Sequence, residues 1–112
     1  MTTGARTVVY TNSQYRQIRR LRKALPEARI EINPADAEPR GIKSGDMVKI
    51  SSPRGSIKVK ATVGDVVIPG VVHVMHHWPG EANVNLLTSD QNLDPISGFA
   101  PFKSLLCRVA KA

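Results

Sequence analysis

A strict alternation of apolar residues near the middle of the chain leaves few folds open to it. In segment 57–63 every second residue is apolar, and the residues between them are Lys, Lys and Thr. This period of two is typical of a strand that buries one face. An apolar segment at 47–50 precedes it, and Pro53 and Gly55 between the two favour a tight turn. The sequence therefore predicts a β-hairpin over residues 46–63.

Other strand-forming segments lie on both sides of this hairpin. They are short and rich in β-branched, aromatic or alternating apolar residues, and they occupy residues 6–10, 29–32, 71–75 and 105–109. With the hairpin they give about six strands, too many for a helical bundle. The pattern predicts a mainly β fold with short helices, a small mixed barrel.

Two helical segments are predicted before the hairpin. Ser13 can cap the first, and the apolar residues 15, 18, 21 and 25 then recur on one helical face until Pro26 ends it. Asn33-Pro34 can open the second helix and Gly41 can close it.

Length and composition are those of one compact domain. The chain has 112 residues, 41% of them hydrophobic and 22% charged, so a single domain over residues 1–112 is expected. It contains no apolar run as long as the ~18 residues that indicate a membrane-spanning helix. Its start lacks the apolar core of a secretory signal, so the chain is expected to be cytoplasmic if it stands alone. The single Cys107 cannot form an internal disulfide.

Positive charge is concentrated at the front of the chain. Residues 1–29 hold seven Lys and Arg against Glu27 alone, which accounts for +6 of the formal net charge of +7. Such a segment attracts anions: phosphates, nucleic acid, an acidic membrane or an acidic partner protein. A solvated helix face that keeps the chain soluble is the other interpretation.

Segment 76–101 has no regular pattern, which in a compact domain indicates a binding loop or a mobile one. Its side chains, which include Trp78, Asn83 and Asn85, can stack on a planar heterocycle and pair with its donors and acceptors. At the other end of the chain, Gly4 allows close backbone approach and Arg6 offers two-point phosphate contact. Together these segments predict a site for an anionic, heterocyclic ligand.

Catalytic and metal motifs are weak in this sequence. His73, His76 and His77 are close in sequence, but adjacent residues point to opposite sides of an extended chain, and no thiol or carboxylate lies at finger-like spacing. A hydrogen-bonded core or rim position is expected for His73. Cys107 alternates with apolar neighbours, as an inert buried cysteine does. Asp94 precedes a proline and is predicted to make a turn.

Several stretches, in order, resemble the molybdopterin dinucleotide-binding domain of molybdenum and tungsten oxidoreductases related to dimethyl sulfoxide reductase. The amino-terminal Thr2-Thr3-Gly4-Ala5-Arg6 is similar to the threonine-glycine-arginine motif that opens that domain. Further matches lie in segments 31–37, 41–48, 52–55, 69–72, 83–88, 94–98 and 102–104. The resemblance covers essentially the whole chain.

The resemblance implies a double-psi β-barrel that binds molybdopterin guanine dinucleotide, with the metal held through the cofactor and its protein ligand supplied by another domain. It implies no catalytic residue and no metal ligand on this chain. The remaining domains or subunits of the oxidoreductase would be its partners, without membrane insertion. Carried over by position, the cofactor-binding residues are Thr3, Gly4, Arg6, His77, Trp78, Asn83, Asn85 and Lys103. A second set of residues would lie farther from the cofactor: Ser13, Gln14 and Arg16.

Two other roles remain open for the basic amino-terminal segment, residues 1–29. Residues 14–24 could form a nucleic-acid-binding helix whose affinity falls with salt, although only Tyr10 and Tyr15 lie near it to stack on bases. The same helix could instead dock on an acidic neighbouring domain or subunit, a role compatible with cofactor binding.

Overall fold

A computed structural model describes residues 1–3, 9–10 and 13–112, which form one curled five-stranded sheet with short helices. The strands are β1 (Arg29–Ile32), β2 (Met47–Ser52), β3 (Gly55–Val63), β4 (Val72–Val74) and β5 (Arg108–Lys111). Their order across the sheet is β4-β1-β3-β2-β5. β1 and β3 are parallel, and the other neighbouring pairs are antiparallel. The mainly β architecture with short helices is thus confirmed.

The hairpin predicted over residues 46–63 is present as β2 and β3. Val48 faces Val59 and Ile50 faces Ile57 across the pair, and all four are buried. The turn between the strands lies close to a distant segment, since a side chain at Gly55 would place its Cβ 2.7 Å from the Leu86 carbonyl oxygen. Any other residue at position 55 would therefore clash with the Leu86 backbone, so glycine is required there for steric reasons.

The sheet buries one face around a core of aliphatic side chains. Ile30 and Ile32 of β1 are 0% and 1% exposed, and Val74 of β4 is fully buried. Val84 and Leu87 complete this core from the segment that has no sequence pattern. They lie in a 3₁₀ turn, Val84–Leu87, so part of that segment is anchored in the core and is not a free loop.

Residues 1–3 link the two ends of the curled sheet. On one side Thr2 lies parallel to β4, with its N–H bonded to the Val72 carbonyl and its carbonyl to the Val74 N–H, each at 2.9 Å. On the other side residues 1–3 bond to residues 102–105, which lead into β5. The prediction of a strand at 105–109 is therefore wrong at its start, because Leu105 pairs with Met1 and β5 begins only at Arg108.

The first helix is much shorter than its apolar spacing predicts. α1 covers Arg19–Ala24 and its N-cap is Ile18, so the prediction of a cap at Ser13 is wrong. Tyr15 has a φ of 68°, in the left-handed region, and such a residue interrupts a right-handed helix. Tyr15 and Ile18 are about half exposed, at 54% and 48%, and form no buried stripe.

The second helix follows its prediction. α2 covers Pro34–Ala37, and the Asn33 side chain accepts a hydrogen bond from the Ala35 N–H at its amino end. A 3₁₀ turn at Glu38–Arg40 continues it, and Gly41 ends this turn with a φ of 62°. Of the strand predicted at residues 6–10, residues 6–8 lie outside the described part of the chain, and Val9 and Tyr10 form no strand.

Candidate functional site at one pole of the sheet

The amino end and the patternless segment meet at the carboxyl end of β4. Thr3 donates to the Phe102 carbonyl twice, from its N–H at 2.9 Å and from its hydroxyl at 3.1 Å. Nδ1 of His76 lies 2.7 Å from the Thr3 carbonyl oxygen and donates to it, since a carbonyl only accepts. Thr3 is 1% exposed, and Lys103, next to Phe102, is exposed. Thr3, His76 and Phe102, which are distant in sequence, are thus held together at one end of the sheet. We call this end the pole.

An aromatic cluster continues this pole. The Tyr10 ring lies edge-on to His77 and Trp78, with centroids 5.4 and 6.3 Å away. The centroids of the His76 and His77 rings are 5.8 Å apart. The cluster therefore connects Thr3, through His76 and His77, to Trp78.

Arg16 binds the same cluster from the segment before α1. Its guanidinium donates to the His77 carbonyl at 2.6 Å, and its central carbon lies 5.7 Å from the centroid of the Trp78 ring. A cation at this distance over an indole is favourable. Arg16 is only partly buried, and a guanidinium carries five N–H donors, so donors remain with which it can also bind an anion.

Two buried nitrogen atoms of the cluster have no hydrogen-bond partner within the described part of the chain. They are Nε2 of His77, a residue only 5% exposed, and Nε1 of Trp78. A third such atom, Arg29 Nε, belongs to β1. Unpartnered buried polar atoms are costly, and here two of them are on adjacent side chains. Such a pair of atoms in a native structure requires an explanation, of which a bound polar group is one.

His77 is held in its neutral form. Burial lowers the pKa of this imidazole below its ordinary value, and the neighbouring His76 and the Arg16 guanidinium lower it further. At neutral pH the ring thus offers one donor and one acceptor. It can pair with the amide edge of a heterocycle, and the Trp78 N–H can only donate.

The lowered pKa of His77 predicts a loss of stability in mild acid. Because the unfolded chain takes up this proton more readily than the folded one, the free energy of unfolding should fall as the pH drops below the ordinary histidine pKa of ~6.5. Urea unfolding between neutral pH and ~pH 5 measures this slope. A His77→Gln variant should show a shallower slope, and equal slopes for the two proteins would contradict the assignment.

Asn83 and Asn85 belong to the 3₁₀ turn Val84–Leu87 and its N-cap, and no ring contact joins them to the aromatic cluster within the described residues. The Asn83 side chain accepts a hydrogen bond from the Asn85 N–H at 3.0 Å and so caps the 3₁₀ turn that carries Val84 into the core. Asn85 lines a surface depression with Arg54 and Asp90, which form an ion pair. Among the predicted residues, Thr3, His77, Trp78 and Lys103 belong to the pole, and Gly4 and Arg6 lie outside the described residues.

Tyr10 is a site residue that sequence reasoning missed. It was assigned to a strand, but it is 4% exposed and its ring contacts both unpartnered side chains of the cluster. No local pattern distinguishes a tyrosine in a strand from one that packs in an aromatic cluster. Arg16 was predicted only as a more distant group, yet its contacts place it in the cluster itself.

The remaining titratable groups have structural roles. His73 on β4 lies 2.8 Å from the Glu31 carboxylate on β1, so its prediction as a hydrogen-bonded rim residue is confirmed. Asp94 accepts hydrogen bonds from Ser97 and Ile96, which lower its pKa and make it the predicted turn former. Burial raises the pKa of Cys107. Within the described ranges, no three His, Cys, Asp or Glu side chains cluster as metal ligands would.

A search of the helices in the described part of the chain finds none with the length and hydropathy that crossing a membrane requires. The geometry defines a small β domain with one end that is polar, aromatic and basic. Residues 1–106 match the family described as the molydopterin dinucleotide binding domain. The chain belongs to this family, and its cofactor class is therefore molybdopterin dinucleotide.

Related proteins are much longer than this chain. The chain is 37% identical, over 99% of its length, to the alpha subunit of F420-dependent formate dehydrogenase 2 from Methanococcus maripaludis, of which it covers 16%. It is 40% identical, over 80% of its length, to the alpha subunit of an F420-dependent formate dehydrogenase from Methanocaldococcus jannaschii, of which it covers 13%. The chain thus spans less than a fifth of these relatives.

A solved structure shares the fold. Acetylene hydratase from Pelobacter acetylenicus superposes on 99% of this chain with a TM-score of 0.87 at 23% sequence identity, and the match covers 18% of that protein. At this identity the likeness concerns the fold alone.

Proposed function

We propose that this chain holds molybdopterin guanine dinucleotide at the pole formed by Thr3, His76–Trp78 and Lys103. The unpartnered nitrogens of His77 and Trp78 carry the proposal, because they are polar, buried and adjacent. Gly4 and Arg6, which the family resemblance also assigns to cofactor binding, follow Thr3 in sequence and lie outside the described residues. Asn83 and Asn85 would contact the ligand only at its far end.

The donor set fits a pterin dinucleotide in three respects. The neutral His77 ring and the Trp78 N–H can pair with the polar edge of a heterocycle. The aromatic cluster offers an apolar wall for a planar ring. Arg16 and the exposed Lys103 supply positive charge for a pyrophosphate.

The chain's own part in the chemistry is to position the cofactor. The bound group supplies a molybdenum or tungsten centre for redox or hydration chemistry, and the protein determines its orientation and electrostatic surroundings. Thr3, fixed by Phe102 and His76, holds the amino end in one geometry, and Arg16 fixes the backbone of His77. We infer that the chain acts as one domain, residues 1–112, of a larger oxidoreductase subunit whose other domains complete the site.

We also infer that the curled sheet is a double-psi β-barrel. Support comes from the parallel pairing of β1 with β3 and of Thr2 with β4, since this barrel needs crossing connections between parallel strands. The pairing of residues 1–3 with residues 102–105 would supply the closure.

Titration with the metal-free cofactor, followed by amide NMR signals, tests the proposed function. We expect the signals of Thr3, His76–Trp78 and Lys103 to shift. His77→Phe and Trp78→Phe should each weaken binding about tenfold, since each removes a buried hydrogen-bonding nitrogen. GDP serves as a second probe for the guanine and diphosphate part.

His73→Phe is the matched control for His77→Phe, because His73 pairs with Glu31 within the sheet. It should leave cofactor affinity within about twofold of the parent chain. If the cofactor shifts none of these signals at millimolar concentration, or if both histidine variants lose affinity equally, the site assignment is wrong.

A further inference from the structure

α1 is a helix that the domain does not bury. None of its six residues is buried, and its four cations, Arg19, Arg20, Arg22 and Lys23, are all exposed. Only Leu21 and the adjoining Leu25 are partly covered. Most helices of this length are stabilised by packing an apolar face against their own domain. Because α1 has no buried residue, its exposed side chains indicate a contact outside the domain.

The four cations of α1 lack acidic partners in the part of the chain that the structure describes. The nearest carboxylate in sequence, Glu27, is already engaged by Lys60 at 3.0 Å and by Arg29 at 3.8 Å. The other ion pairs on the described surface join residues of the sheet, its turns and α2. We call the exposed side chains of Arg19, Arg20, Arg22 and Lys23 the basic face.

Apolar side chains lie beside the basic face. Ile18 is the N-cap of α1, and its N–H bonds to the carbonyl of Tyr15; the two residues are 48% and 54% exposed. A mixed surface of arginine, tyrosine and an aliphatic residue is typical of protein–protein contacts, in which Arg and Tyr are enriched.

Nucleic acid and membrane fit this surface less well than protein does. Tyr10, one of the two aromatic residues near α1 in sequence, is buried against His77 and Trp78, which leaves Tyr15 for base stacking. α1 has six residues, or about 9 Å of helix. Leu21 of α1 and Leu25 at its C-cap are partly covered by the domain, so Tyr15 and Ile18 are the exposed apolar side chains left beside it, too few for the continuous apolar face of an interfacial helix.

We propose that the basic face, with Tyr15 and Ile18, docks on an acidic protein surface that also presents apolar side chains. Charge complementarity identifies the partner's chemistry, and the relatives, of which this chain covers only 16% and 13%, show that domains of this family occur within much larger subunits. The inference concerns a different surface from the cofactor pole and does not depend on it.

Two charge-reversed chains test the docking surface. One carries Arg19→Glu, Arg20→Glu and Lys23→Glu; the control carries Lys49→Glu, Lys58→Glu and Arg108→Glu on the exposed side of the sheet. Both reversals produce the same net charge, so they differ only in where the charge lies. Circular dichroism and thermal unfolding of both chains establish that the sheet is intact.

The probes are two synthetic peptides of equal length and charge, one with Glu and Leu on a shared helical face and one with Glu and Ser. We expect the Glu–Leu peptide to bind the parent chain more tightly and to shift the amide signals of Tyr15, Ile18 and α1. The α1 reversal should weaken this binding at least about tenfold, and the control reversal less than about threefold. Ile18→Ser should remove the preference for the Glu–Leu peptide.

Three results would overturn the proposal. Equal losses in the two reversed chains would mean that net charge alone determines binding. Tighter binding of a DNA duplex at the same salt concentration would identify a nucleic-acid surface, and tighter binding of phosphatidylserine vesicles would identify a membrane surface.

Discussion

Replacing Ile30 by alanine should lower the free energy of unfolding by about 4 kcal/mol. Ile30 is fully buried on β1, an interior strand of the sheet, where it faces Ala61 on β3 and Val74 on β4. The shortened side chain removes apolar contacts and leaves a cavity that the flanking strands cannot close without shifting both pairings. Urea unfolding followed by circular dichroism measures the loss.

Met47→Ala provides the control on the same sheet. Met47 begins β2 and is 44% exposed, so its truncation should cost less than about 1 kcal/mol. Similar losses in the two variants would mean that the core is not centred on β1. The comparison also matters for the proposed cofactor site, because β4, which leads into it, is held by its pairing with β1.

The local elements of the fold were predictable where short-range chemistry determines them. The hairpin follows from an alternation that places the apolar side chains of both strands on one face and from the turn residues Pro53 and Gly55 between them; the short turn sets the pairing, with Ile50 opposite Ile57. The α2 cap follows from Asn33-Pro34, where the side chain accepts from the Ala35 N–H. Neither depends on a distant contact.

The errors occur where tertiary contacts override a local pattern. Apolar spacing predicts a helix from Ser13, yet Tyr15 adopts a left-handed conformation and Arg16 binds the His77 carbonyl. Leu105 continues the alternation of the last strand, but its N–H pairs with the Met1 carbonyl. Burial still alternates from Leu105 to Val109. The sequence pattern therefore predicts which side chains face inward, but it does not predict which segment pairs with residues 105–107.

The candidate site was predictable in part. Residue chemistry and family resemblance select Thr3, His77, Trp78 and Lys103, and the structure connects the first three through His76, with Lys103 next in sequence to Phe102, the partner of Thr3. Asn83 and Asn85 have the same chemistry, but their backbone forms the 3₁₀ turn that anchors Val84. Sequence shows which side chains can bind a heterocycle, whereas long-range pairing decides which of them lie together.

Removing residues 1–3 should therefore affect fold and site together. Their backbone groups bond to Val72 and Val74 on one side and to Phe102 and Leu105 on the other. These four backbone bonds alone, at ~1 kcal/mol net for each, should lower the free energy of unfolding by at least about 4 kcal/mol, since the bonds of the Met1 amino group, the Thr3 hydroxyl and the Thr3 carbonyl are lost as well. Cofactor affinity should fall further than in His77→Phe, because His76 loses the Thr3 carbonyl and the segment bearing Lys103 loses its anchor.

The double variant Thr2→Ser and Thr3→Val separates backbone pairing from side-chain chemistry. It keeps the backbone bonds and removes the Thr3 hydroxyl that donates to Phe102, so it should cost only about 1 kcal/mol. Hydrogen exchange at the Val74 and Leu105 amides, which bond to Thr2 and Met1, should accelerate in the truncated chain and not in the double variant. Unchanged exchange after truncation would mean that residues 102–105 hold their position without the amino end, and the joint dependence of fold and site on this pairing would be refuted.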